Sequence, residues 1–156
     1  MKIANINYKG RVTCPLSKLN FPSSMKPPQM LTFECEQKGV KLLIFKTGKC
    51  RLMGCKEPVT KPIKCVVPYI LTNLMSITLT MNVGYKVNLY KMATALGSKK
   101  CMYEPELFPA ARLLQFNPVC VNVFQSGKVV ILGQKSMTYN KLSSTISEIL
   151  HCYKFC

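Results

Sequence analysis

YEPELFPAARLLQFNPVCVNVFQSGKVVILGQK, residues 103–135, places a phenylalanine in each of two apolar segments and follows the second with Ser-Gly-Lys. Its latter half decides the fold. VCVNVF and KVVILG are short runs rich in β-branched residues, and the glycine of QSG supplies the positive φ that a tight turn can require. The segment therefore reads as a β-hairpin.

The hairpin occurs twice. At an offset of 79 residues, LLIFKTGKCRLMGCK (42–56) lies over VNVFQSGKVVILGQK (121–135), with identities at Phe, Gly, Lys, Gly and Lys. The match extends outward at an offset of 78, pairing Met25 with Tyr103, Pro27 with Pro105 and Met30 with Phe108, and at 77, pairing Asn5 with Asn82. Repetition of this length predicts two similar halves, 1–77 and 78–156, within one domain spanning 1–156.

Each half ends on a segment with helical features. In KLSSTISEILHCYKF, Leu142, Ile146, Ile149, Leu150 and Tyr153 recur at spacings of three and four, which is the stripe of an amphipathic helix. IKCVVPYILTNLM (63–75) is its first-half counterpart, shortened or kinked by Pro58, Pro62 and Pro68. Shorter helices are expected in PLSKLNF and NLYKMATAL. Each half thus reads as strand, short helix, several antiparallel strands and long helix. Two halves joined edge to edge would give an α+β fold with one sheet and helices on one of its faces.

The composition narrows the function. The 156 residues are 48% hydrophobic, enough for a core, yet carry 22 Lys and Arg against six acids, all Glu, for a net charge of +16. Such a balance favours a polyanionic partner, nucleic acid foremost, with anionic lipid as the alternative. The N-terminus MKIANINYKG lacks an apolar stretch of signal-peptide length, and the longest apolar run, CVVPYILTNLM, is too short for a membrane helix. An intracellular protein is expected. Nine scattered cysteines suggest free thiols in a reducing compartment. Cys152, Cys156 and the single His151 cluster at one end, and Cys50 lies near Cys55, but no Cys-x2-Cys pair exists, so no metal is expected. With no Asp, one His and no paired carboxylates beyond Glu104 and Glu106, there is no catalytic constellation. No enzyme activity and no cofactor are expected.

YEPELFP, followed 16 residues after its Phe by a second one in F-x-SGK-x-V-x-x-G-x-K, resembles the second repeat of the TATA-box-binding protein family; LIF-x-TGK-x-x-x-x-G-x-K at 43–56 is a looser first repeat. The resemblance spans the whole chain. It implies a saddle: two pseudo-symmetric repeats forming one curved antiparallel sheet of ten strands, concave on DNA, with helices on the convex face.

It also implies a transcription initiation factor that binds and bends A·T-rich promoter DNA through the minor groove. Its partners would be a transcription factor IIB-like protein and RNA polymerase, and it would act as a monomer on DNA in the nucleus, or at the site of viral transcription for a viral member. The alternative is an interaction protein that keeps the saddle and engages transcription factors with weak or no DNA binding.

By motif position, the family's four intercalating phenylalanines fall on Phe108, Phe124, Phe45 and Met30. Methionine can still wedge but has no aromatic face to stack, so the Met30 side should kink DNA less. Asn5 and Asn82 fall where the family keeps groove-floor amides able to donate to adenine N3 or thymine O2. Lys49, Lys128, Lys56 and Lys135 recur symmetrically as phosphate contacts, with Arg112 as a further candidate. Met53 and Leu132 replace threonines that would contact the groove floor, which relaxes discrimination against G·C pairs. Glu104 and Glu106 mark the loop that the factor IIB-like partner would grip.

Overall fold

The computed structural model describes residues 1–21, 30–134 and 140–155. The segment holding Met25 and Pro27, and Lys135, expected among the phosphate contacts, lie outside the described residues. The chain divides into two compact units, one of Asn5–Ser76 and one of Ile77–Cys156 with Met1–Ala4.

In the second of these, β5 (Tyr69–Asn82) pairs through its C-terminal part with β9 (Lys128–Gln134), which pairs with β8 (Cys120–Phe124), then β7 (Ala110–Leu113) and β6 (Cys101–Met102), all antiparallel. The expected hairpin is present, with Phe124 carbonyl accepting from Gly127 N–H at 2.9 Å and Gly127 at φ +86°. Alternation sorts the strands cleanly. Leu79, Leu113, Val121, Val123, Val129 and Ile131 are fully buried on one face. That face packs with Leu89 and Met92 of α1 (Leu89–Leu96) and Ile146 and Leu150 of α2 (Asn140–His151). α1 starts where Asn88 caps it, its side chain accepting from Lys91 N–H at 3.0 Å. Both helices fall on segments expected to be helical, α2 on the one whose periodicity predicts it.

In the Asn5–Ser76 unit the order is β2 (Met30–Glu34), β3 (Lys41–Phe45), β4 (Lys49–Cys55), β1 (Lys2–Val12), with the start of β5 beside β1 through Thr72 Oγ1, which donates to the Lys9 carbonyl. Ile6, Leu42, Ile44 and Leu52 are fully buried on one face. Here the helical expectations fail. PLSKLNF forms only a single 3-10 turn at Leu16–Lys18, and IKCVVPYILTNLM is irregular to Pro68 and then strand β5. The reason is local. Pro58, Pro62 and Pro68 remove helix N–H donors and bias the residues before them away from helix, while Val66, Val67 and Ile70 are β-branched. Among the described residues, no α-helix covers this unit's apolar face.

The two units share a further device. β4 bulges where Ile6 faces Cys55 and Tyr8 faces Leu52, and β9 bulges where Ile77 faces Gln134 and Leu79 faces Ile131. Gly54 (φ +91°) and Gly133 (φ +82°) sit in these bulges. A Cβ at Gly54 would run into the Gly39 carbonyl oxygen, whereas one at Gly133 would meet only the Pro118 carbonyl oxygen, at an ordinary contact distance of 3.9 Å. Gly54→Ala should therefore cost about 3 kcal/mol, strain plus overlap, and Gly133→Ala only about 1 kcal/mol of backbone strain. Urea unfolding of the two variants measures the difference.

The bulges also correct one pairing. Cys55 and Gln134 match at the repeat offset of 79, so their partners Ile6 and Ile77 match too. Counting along the strands from there, Asn7 matches Thr78 and Asn82 matches Arg11. Asn5 and Asn82, matched by type in the sequence, do not occupy equivalent places in the ladders.

Candidate nucleic-acid interface

Opposite each buried face lies an open one, and register assigns its residues. In the Ile77–Cys156 unit it carries Thr78, Thr80 and Asn82 from β5, Lys128, Val130 and Leu132 from β9, Cys120, Asn122 and Phe124 from β8, and Ala110 and Arg112 from β7. In the Asn5–Ser76 unit it carries Asn5, Asn7, Lys9 and Arg11 from β1, Lys49, Arg51 and Met53 from β4, Lys41, Leu43 and Phe45 from β3, and Met30, Thr32 and Glu34 from β2.

The charge on these faces is predominantly positive. Glu34 is the only acid in any described strand, and it is paired with Lys41 at 3.8 Å at the end of the β2–β3 hairpin. A polyanion laid on the Ile77–Cys156 face would meet only cations and neutral strand residues, and on the other face a single acid at one end.

Phe108 and Phe124 are brought together, their ring centroids 6.1 Å apart in an edge-on arrangement. Phe108 follows a turn closed by the Glu104 carbonyl, which accepts from Leu107 and Phe108 N–H, and stays 46% exposed. An aromatic ring left that open, braced by a half-buried partner, is an exposed apolar wedge rather than core.

Met30 and Phe45 are likewise cross-strand partners, but Phe45 has another neighbour. The Arg51 guanidinium sits 5.3 Å from its ring centroid, a cation–π contact that ties the ring to its own sheet. Arg51 is the cross-strand neighbour of Lys9, as Lys49 is of Arg11. These four cations line a shallow concavity of about 660 Å³ with Phe45 and Thr47. The matching position to Arg51 in the other repeat is Val130. One unit thus offers a paired aromatic wedge on a weakly charged face, and the other a basic cluster stacked on a single ring.

The asparagines share a chemistry despite their different places. Asn5 Oδ1 accepts from Gly54 N–H, and Asn82 Oδ1 from Gly84 N–H, each at 2.8 Å. In both, the oxygen is committed and the amide Nδ2 is left to donate. Asn122, absent from the expected site, is similar: 6% exposed at the centre of its face between Arg112 and Val130, its Oδ1 accepts from the Cys120 thiol. A donor is the group that minor-groove acceptors require.

Of the remaining expected residues, Lys49 and Lys128 start their strands and are exposed, and Lys56 is exposed just past the end of β4. Arg112 is exposed on β7, opposite Asn122. Glu104 and Glu106 are exposed on the turn before Phe108, beside Leu107, which is 80% exposed. Tyr103 at the base of that turn packs edge-on against Tyr90 of α1, at 5.1 Å between centroids. The signal that would have found Lys9, Arg11 and Arg51 in the sequence is parity: Lys49, Arg51 and Met53 alternate away from buried Cys50 and Leu52. Among the described residues, no cluster of His, Cys and acids is placed to hold a metal ion.

Residues 72–153, just over half of the chain, match the family described as transcription factor TFIID, or TATA-binding protein. The TATA-box-binding protein of Archaeoglobus fulgidus is 30% identical over 130 residues, 73% of this chain and 71% of the relative. That of Methanococcus maripaludis is 32% identical over 129 residues, 70% of each chain. The chain belongs to the TATA-binding protein family. Its α+β fold is the family's: the solved structure of Methanococcus jannaschii TATA-binding protein matches at a TM-score of 0.68 and 25% identity, covering 96% of this chain and 97% of that one. The family is one of DNA-binding transcription factors, not of enzymes. Among the described residues, no helix is long and apolar enough to cross a membrane.

Proposed function

We propose that this chain, in general terms a TATA-box-binding transcription factor, binds A·T-rich promoter duplex through the minor groove and bends it. The observation that carries the reading is the Phe108–Phe124 pair, two contacting rings, one of them 46% exposed, on a face whose strands hold no acid. Rings driven between base pairs cost a few kcal/mol of unstacking, offset by the surface that a kinked duplex can wrap.

The two units grip differently. Phe108 and Phe124 wedge a base step, while Arg51, Lys9, Arg11 and Lys49 hold phosphates and the negative potential of a narrow A·T groove, with Phe45 and Met30 as the weaker wedge. Asn5, Asn82 and Asn122 supply amide donors to the groove floor, and Lys56, Lys128 and Arg112 further backbone contacts. The turn of Glu104 and Glu106 faces a transcription factor IIB-like protein, which brings the polymerase.

Titration of a labelled A·T-rich duplex against salt tests the reading. Six strand-borne cations (Lys9, Arg11, Lys49, Arg51, Arg112 and Lys128) contacting phosphate predict a log–log slope of about −5. A slope near zero, or no binding at moderate salt, would remove the clamp and leave the acidic turn as the functional surface of an interaction protein.

A further inference from the structure

Just past the end of β2, Cys35 forms an isolated antiparallel bridge with Cys65. Glu36 N–H donates to the Lys64 carbonyl at 3.0 Å, which makes Cys35 and Cys65 a pair of the non-hydrogen-bonded kind. In such pairs the Cα atoms lie about 4.5 Å apart, inside the span of roughly 4.4–6.8 Å that a disulfide bridges without backbone movement.

Both thiols are free, Cys35 buried and Cys65 half-exposed, with Cys65 Sγ donating to the carbonyl of Glu34, the residue before Cys35, at 3.9 Å. Cys65 lies on the irregular segment between β4 and β5, whose ties to the unit include Val59 N–H to Tyr8 Oη at 3.0 Å and Tyr69 Oη to the Ile63 carbonyl at 2.6 Å. The segment borders a concavity of about 910 Å³ that both cysteines line, so a small reagent has access to Cys65.

We propose that Cys35 and Cys65 are an oxidation site, which a small-molecule disulfide such as glutathione disulfide closes into an intramolecular disulfide that staples residues 59–68 to the end of β2. This inference does not rest on DNA binding.

The order of steps follows from the surroundings. Burial, and then the neighbouring Cys65, push the Cys35 thiol up to about 12, so it stays protonated and does not start the exchange. The Cys65 thiolate attacks one sulfur of glutathione disulfide, breaking that bond and releasing one glutathione thiolate. Cys35 then attacks Cys65 Sγ in the mixed disulfide, passing its proton to the departing second glutathione. Two electrons and two protons leave the protein thiols, and two glutathione thiols are formed.

The test is a non-reducing tryptic map of the folded protein after incubation with glutathione disulfide. A Cys35–Cys65 cross-linked peptide pair, lost on adding dithiothreitol, is expected as the main disulfide product. Trypsin cleavage after Lys64 should slow about tenfold in the oxidised protein, since a staple at the next residue suppresses local opening. Cys65→Ser should show neither the cross-link nor the slowing, while Cys14→Ser should show both. A persistent glutathione adduct on Cys65 with Cys35 still free would overturn the proposal, as would a cross-link from Cys35 to Cys55, its other thiol neighbour.

Discussion

Replacing Phe108 and Phe124 together by alanine is expected to weaken binding to an A·T-rich duplex roughly 100-fold and to abolish bending. The rings touch, so replacing both removes a single wedge. Stacking a base on an aromatic ring is worth about 1–3 kcal/mol, and the two losses are coupled, so about 3 kcal/mol is a fair total. Stability should move little by comparison. Phe108 is 46% exposed and Phe124 only half-buried, so unfolding should shift by no more than about 2 kcal/mol. Fluorescence anisotropy gives the affinity and energy transfer between end-labelled duplex termini gives the bend. Normal bending by the double variant would rule out the wedge.

The second large effect belongs to Arg51. Its guanidinium stacks on Phe45 in the middle of a cluster with Lys9, Arg11 and Lys49, where the other repeat has Val130. Arg51→Glu removes a cation and sets an anion among phosphates. Binding should fall about 100-fold, and the log–log salt slope should become shallower by about 1 to 2. Arg51→Val, which copies the other repeat, should cost about tenfold and narrow the preference for A·T over G·C, because arginine reads the deeper potential of the narrow groove. Salt titrations on matched A·T and G·C duplexes measure both. An Arg51→Glu variant that binds as wild type would place the DNA elsewhere than on this face.

Both expectations rest on features unequally visible in the sequence. The hairpins were legible because a Gly-Lys turn follows each apolar run, and α2 because Ile146 and Leu150 fall on a helical stripe. The missing helix of the Asn5–Ser76 unit was not. An apolar run such as IKCVVPYILTNLM suits a buried helix or a strand equally, and its prolines weigh against the helix. Tyr69 to Asn82 forms one 14-residue strand that begins directly after Pro68.

The site was legible where a motif names a residue and obscure where only register does. Phe108 and Phe124 stand in recognisable blocks. Arg51 and Asn122 gain meaning from what lies across the strand, Lys9 and Leu43 for one, Arg112 and Val130 for the other. Asn5 and Asn82 show the converse. Their shared residue type suggested equivalence, and the two bulges place them at different rungs.

Minor-groove reading itself is tested most directly by exchanging the groove a protein can see. An inosine–cytosine duplex keeps the major-groove pattern of G·C but lacks the guanine amino group, so its minor groove presents the acceptors of A·T. The wild-type chain should bind an inosine–cytosine-substituted site within about threefold of the A·T site and at least about tenfold more tightly than the G·C site. Binding to inosine–cytosine no tighter than to G·C would contradict a clamp that reads the minor groove.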